Sequence, residues 1–115
     1  MNKLNTQRIR NQNVGLIKFS NRHRNVLKWG SNETYKHILT KLNICMALKK
    51  QGKEFYTEAV FFDGNRADVL CTDESLIYEV YESETKESLD KKDIIYPLEI
   101  RRVKASLEFR EEDML

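Results

Sequence analysis

Residues 54–81, EFYTEAVFFDGNRADVLCTDESLIYEVY, decide the fold. Three short runs rich in β-branched and aromatic residues alternate with polar turn residues, the pattern of strands rather than of a helix. The spacing predicts strands over 54–62, 66–71 and 76–81. Asp63-Gly64 between the first two is a strong hairpin signal, because glycine accepts the left-handed conformation that a tight turn requires. The turn also sets the register. A three-residue loop, Asp63-Gly64-Asn65, brings Glu58 to the face that carries Asp68, and a two-residue loop sends it to the other.

Working outward toward the N-terminus, Ser31 or Asn32 is the expected N-cap of a helix that has Glu33 in its first turn and runs to about Lys50, where Gln51-Gly52 ends it. Tyr35, Ile38, Leu39, Leu42, Cys45 and Met46 fall at the spacing of one helical face and are the predicted core stripe. Glu33, His37 and Lys41 recur every four residues on roughly the opposite side and form a polar row. Residues 14–19 and 25–29 look like short β segments or irregular cover, with Val26, Leu27 and Trp29 as apolar contacts. The first dozen residues show no period and are expected to be a mobile arm or a loosely packed element. Beyond residue 81, Ser83 or Thr85 starts a predicted helix through Lys91. Pro97 precedes a last strand over 98–103, and the tail forms a short helix or frays. The expected order is α-β-β-β-α-β, an α/β fold with a central mixed sheet flanked by helices. A basic arm and cover over 1–32 would precede a domain over 33–115.

Composition bounds the function. A chain of 115 residues fits one core, and 40% hydrophobic residues with one proline argue for a folded domain. No apolar run approaches the roughly 20 residues needed to cross a bilayer, so a cytoplasmic protein without membrane partners is expected. Cys45 and Cys71 lack metal-site spacing and read as reduced, buried thiols. The net charge of +2 hides an asymmetry: residues 1–32 carry seven Lys and Arg and no acid, which leaves 13 basic and 18 acidic residues for the rest. A basic segment beside an acidic body suits phosphate contact in one part and metal binding in the other; a solvated tail is the plain alternative. Arg22, Arg24, Lys28, Arg66 and Lys86 are the candidate nucleic-acid contacts.

Asp68 stands among Ala67, Val69 and Leu70, and Glu79 between Tyr78 and Val80 in the next strand. A carboxylate in an apolar strand is costly to bury unless it is paired or holds a cation. Two of them on adjacent strands can converge on one hard cation such as magnesium or manganese.

This arrangement, an aspartate and then, after ten intervening residues, a glutamate with a valine after it, resembles the PD-(D/E)xK nuclease core. More narrowly, Glu33-x3-His37-x3-Lys41, Glu58, Arg66-Ala67-Asp68-Val69, Glu79-x3-Ser83 and Tyr96 look like the CoiA-like competence nucleases, over about residues 33–97. The resemblance implies a restriction-endonuclease-like core and a Mg2+- or Mn2+-dependent DNA endonuclease, of use in recombination, repair or a mobile element. It implies Asp68 and Glu79 as metal ligands with the Val80 carbonyl completing the set, and Glu58, Glu33, His37 and Lys41 as further site groups. The motif lysine is replaced by Tyr81, which could orient a water but carries no positive charge at neutral pH. Lys41, Arg66 or Lys86 could supply that charge. By analogy with small junction resolvases a homodimer is an expectation, and a catalytically silent nucleic-acid-binding module of the same fold is the alternative. Read without the resemblance, the Glu33–His37–Lys41 row is an ordinary solvated helix face, and Arg66 pairs with a neighbouring acid.

Overall fold

The computed structural model describes residues 3–82, 98–108 and 110–115. Helix α1 spans Lys3–Val14 and α2 Tyr35–Lys50. Strands β1 Phe55–Val60, β2 Arg66–Cys71, β3 Leu76–Tyr81 and β4 Glu99–Lys104 follow, with 3-10 turns at Phe19–Asn21 and Glu111–Met114. The protein is therefore α/β, with one four-stranded mixed sheet in the order β1-β2-β3-β4: the first two pairings are antiparallel and β3 runs parallel to β4. The predicted helix from Ser83 or Thr85, and with it Lys86 and Tyr96, lies outside the described residues.

The meander forms as its residues dictate, with one refinement at the hairpin. The amide of Phe61 donates to the Asn65 carbonyl, and Val60 pairs with Arg66. The loop is therefore Phe62-Asp63-Gly64, one residue earlier than Asp63-Gly64-Asn65, with Gly64 at a φ of 92°. The parity is that of a three-residue loop, so Glu58 falls opposite Asp68.

Helix α2 is where the structure departs most from expectation. Its N-cap is Thr34, whose hydroxyl accepts from the His37 amide, and not Ser31 or Asn32; Glu33 lies before the helix. Its buried face is Thr40, Lys41, Ile44, Cys45, Ala47 and Leu48, while Tyr35, Leu42 and Met46 are exposed. The predicted stripe is thus rotated away from the sheet, and the Glu33–His37–Lys41 row points inward. Ile44 and Leu48 continue the Lys41 row by one and two turns, and burying each contributes on the order of 1.5–3 kcal/mol. Lys41 can follow them inward because its ammonium finds three acceptors. The helix ends as expected: the Gly52 amide donates to Lys49 and the Lys53 amide to Leu48, with Gly52 at a φ of 74°.

Two apolar layers sandwich the sheet. Ile44, Leu48, Phe55, Val69, Tyr78, Val80 and Val103 form the layer under α2. Ile17, Tyr56, Ala59, Phe61, Ala67, Leu70 and Ile77 form the other. Ile17 enters through a single bridge to Phe61, all that remains of the β segment expected over 14–19. Residues 25–29 are irregular cover along β1: Asn25 exchanges backbone and side-chain hydrogen bonds with Phe55, and the Thr57 hydroxyl joins the Val26 carbonyl to the Lys28 amide.

The first dozen residues hold a helix that the pattern did not announce. Helix α1 buries only Asn13 and is tied to the β2–β3 turn by polar bonds. Arg10 grips Asp73 with two nitrogens, at 2.9 and 2.8 Å, and Asn13 donates to the Thr72 carbonyl and the Ser75 hydroxyl. No helix among the described residues is long and apolar enough to cross a membrane.

Candidate functional site

Glu58 has a φ of 49° and is missing from the ladder between Thr57↔Val69 and Ala59↔Ala67, as is its opposite number Asp68. Strict alternation breaks there on both strands. Phe55 and Val69 pack under α2, whereas Tyr56, Ala59, Ala67 and Leu70 pack on the far face. The paired irregularity therefore turns the side chains of Glu58 and Asp68 toward α2, where both find partners. A left-handed conformation on a non-glycine residue costs on the order of 1 kcal/mol or more and persists only where surrounding contacts hold it. Here they do: the Lys41 ammonium is 2.6 Å from Glu58 Oε1, and Arg66 Nε is 2.9 Å from Oε2.

Lys41 is fully buried. Besides Glu58 it reaches Glu33 Oε1 at 3.2 Å and donates to the Lys28 carbonyl at 2.7 Å. Glu33 in turn accepts the Gly30 amide at 2.8 Å. Lys41 thus fastens α2, the loop before it and β1 together.

His37, one turn before Lys41, faces Asp68 and the end of β3. Its Nε2 is 3.1 Å from the Val80 carbonyl and 3.6 Å from Asp68 Oδ2. Its Nδ1 lies 2.8 Å from Glu33 Oε1 but is not aligned with it for a hydrogen bond. Asp68 Oδ2 also accepts the Val80 amide at 2.8 Å. The contact with Asp68 raises the affinity of the imidazole for a proton above the ordinary value, against the opposing effect of burial. Burial alone would raise the Asp68 carboxyl, but hydrogen bonds from His37, the Glu79 side chain and the Val80 amide together hold it down to about 2. Glu79 itself is 5% exposed.

These groups line one polar cavity of about 610 Å³. Glu33, His37, Glu58, Arg66, Asp68, Glu79 and Val80 form its wall, with Gly30-Ser31-Asn32 on one side and the hairpin residues Gly64 and Asn65 on the other. Glu33, His37 and Asp68 each offer a ligand atom within 4.8 Å of the others. The donor set fits a divalent cation on two further counts. Two carboxylates, Asp68 and Glu79, stand on adjacent strands and line the same cavity, where a cation relieves the repulsion of like charges. A largely buried ring nitrogen, His37 Nδ1, has no aligned partner.

Other predicted residues lie elsewhere. Tyr81 lines a separate cavity with Arg102, Lys104 and Ser106 and is not among the residues lining the cavity of Asp68 and Glu79. Lys41 sits behind the wall, committed to Glu33, Glu58 and Lys28. The Val80 carbonyl is engaged by His37. Arg22 donates to the Ile17 carbonyl and covers the Phe19 ring, Arg24 approaches Glu54 at 3.7 Å, and the Lys28 ammonium meets His23. None of these three lines the cavity; Arg66 is the one Arg or Lys that does among the described residues. The sequence reading passed over the Gly30-Ser31-Asn32 loop and Thr34. The signal was present in Thr34, a residue type favoured at N-caps, whose hydroxyl accepts the backbone amide of His37 and donates to Glu82 at 3.0 Å.

Comparison of the chain with protein families, with curated proteins and with solved structures returned no match. The class that fold and site define is an α/β protein with an acidic, histidine-containing cavity at one end of its sheet.

Proposed function

We propose that the protein is a metal-dependent nuclease that hydrolyses DNA phosphodiester bonds, built on a restriction-endonuclease-like core. The observation that carries this reading is the convergence of Asp68, Glu79, Glu33 and His37, from two adjacent strands, a helix and the loop before it, on one open polar cavity. An acidic wall of this kind repels a phosphodiester unless a cation intervenes. Asp68, Glu79 and His37 would hold the ion, and Glu33 would either join them or orient the imidazole. Carboxylates alone suit magnesium, whereas an added imidazole favours a softer ion, so manganese is the better fit of the two. When bound, the metal supplies a water of lowered pKa and positive charge for the scissile phosphate.

The chain's own residues do the rest. Arg66, exposed at the cavity rim and anchored on Glu58, is placed to bind a substrate phosphate. Asp68, held well below the usual carboxylate range by its hydrogen bonds, would offer the ion an ionised oxygen at neutral pH. Lys41 is a positioning residue, holding Glu33 and Glu58 in place. The test is incubation with plasmid, single-stranded and four-way-junction DNA in Mn2+ or Mg2+, beside a chelator control, Asp68→Ala and Glu79→Ala. Cleavage abolished in all three controls is expected. No cleavage of any substrate by the wild type, with DNA binding kept, would replace this reading by a catalytically silent binding module. That alternative draws on one observation, that no lysine lines the cavity among the described residues.

A further inference from the structure

Phe19 and Phe62 are the most conspicuous apolar groups outside the core: they are 76% and 56% exposed, yet neither is isolated. Their rings meet edge to face, with centroids 5.7 Å apart and planes at 80°. The Arg22 guanidinium lies 4.3 Å from the centre of the Phe19 ring, and its Nε donates to the Ile17 carbonyl, which fixes its plane. Both aromatics rest on rigid backbone. The Lys18 amide donates to the Val60 carbonyl and the Phe62 amide to the Leu16 carbonyl, which staples the Phe19 turn to the β1–β2 hairpin. Exposing two phenyl rings to water in a fixed geometry is unfavourable, and nothing in the local packing requires it.

The surroundings indicate what the rings meet. Exposed Lys18 precedes Phe19, and Arg22 and Arg24 follow it, in a segment of 32 residues without an acid. The acid of the hairpin tip, Asp63, is turned into the loop, where it accepts the Asn65 amide. Cations beside bare aromatic faces are the means by which proteins hold unpaired nucleobases: the rings stack on bases and the cations take phosphates. A protein partner would be met by apolar surface with an evenly mixed rim, and the rim here carries Lys18, Arg22 and Arg24 against the single acid Asp63. The hairpin also connects this patch to the cavity, because Gly64, Asn65 and Arg66, directly after Phe62, line it.

We infer that Phe19, Phe62 and Arg22 form a stacking platform for an unpaired base of single-stranded nucleic acid, placed beside the acidic cavity. Its link to cleavage rests on the nuclease reading; base binding does not. The platform would give the nuclease a preference for DNA with a single-stranded segment over continuous duplex.

The test is fluorescence anisotropy of a labelled oligodeoxythymidylate and of an abasic strand of the same length, both in chelator, so that metal chemistry plays no part. Oligouridylate serves as a third arm to separate DNA from RNA. Phe19→Ala and Phe62→Ala are each expected to weaken binding of the thymidylate about tenfold and to leave the abasic strand unchanged. Phe62→Trp keeps a stacking face and should retain the affinity, which separates lost stacking from lost folding. Equal loss on both strands, no loss on either, or a change of oligomeric state in the alanine variants would overturn the inference; the last would make the patch a protein contact. Base-dependent binding by a wild type that cleaves nothing in Mn2+ would sink the nuclease reading alone.

Discussion

The molecule contains two charged clusters that differ in one respect. At the docking site of α1, Arg10, Arg24 and Lys53 face Glu54, Asp73 and Glu74, so that each acid has a base. At the end of β2 and β3, Glu33, Glu58, Asp68 and Glu79 share Lys41, Arg66 and one histidine. The first cluster is closed by its own pairs, and its chemistry ends there. The second crowds four acids at the wall of a cavity, with a ring nitrogen that lacks an aligned partner and a strained backbone at Glu58. Charges paired away from any cavity mark a joint, and acids with a histidine gathered at the wall of a cavity mark a place for a ligand.

The sharpest way to break this contrast is to remove the cation that makes the second cluster foldable. Lys41→Met leaves Glu33 and Glu58 facing each other without their ammonium, and the expected loss is about 3–5 kcal/mol of stability. Denaturant unfolding measures it, and a loss below about 1 kcal/mol would show that Lys41 fastens nothing. Next in size is the site itself. Asp68→Asn should lower Mn2+-dependent cleavage at least about a hundredfold, read as the initial rate on the best DNA substrate. Glu79→Gln tests the gathered acids from the other side. A side-chain contact joins Glu79 to Asp68, and an amide there keeps a hydrogen-bond donor without a charge. The variant should melt at the wild-type temperature or above it without metal, and should lose the rise in melting temperature that Mn2+ gives the wild type. A Glu79→Gln protein that still gains stability from Mn2+ would remove Glu79 from the ligand set.

The two clusters were unequally legible in the sequence. The three central strands could be read closely, because alternation and the Asp63-Gly64 signal are local. Asp68 and Glu79 stood out as acids in apolar strands. The face of α2 could not be read, because Tyr35, Leu42 and Met46 satisfy the helical period as well as the true core does. Burial of Lys41 depends on Glu33, Glu58 and the Lys28 carbonyl, partners that only the fold assembles. Helix α1 escaped for a related reason: it is held by Arg10 and Asn13 against Asp73 and Thr72, about sixty residues away, with no apolar stripe to betray it. The kink at Glu58 has no residue signature at all, since nothing in Thr57-Glu58-Ala59 announces a positive φ.

The balanced cluster yields a smaller effect with a definite pH dependence. Arg10 and Asp73 are partly exposed, so Arg10→Ala should cost only about 1 kcal/mol at neutral pH. Burial pushes the Asp73 carboxyl up, but the hydrogen bonds from Arg10 and the Glu54 amide, with the charges of Arg10 and Lys53, together outweigh it and leave the group below its usual range. A carboxyl depressed in the folded state stabilises it above the unfolded pKa, near 4, and loses that contribution as pH falls through the folded value. The difference between wild type and Arg10→Ala should therefore be constant from neutral pH down to about 4 and shrink below it. A difference independent of pH would mean that α1 is held by Asn13 and not by charge.

The smallest expected effect is the most discriminating for the site's assignment. Tyr81, two residues after Glu79, lines the cavity with Arg102 and Lys104 and not the one with Asp68. Its hydroxyl contributes nothing to a reaction in the acidic cavity, so Tyr81→Phe should change the Mn2+-dependent cleavage rate by less than about twofold. A larger fall, with melting temperature unchanged, would mean that the substrate strand extends across β3 into the second cavity. The acidic cluster would then be one half of a longer site.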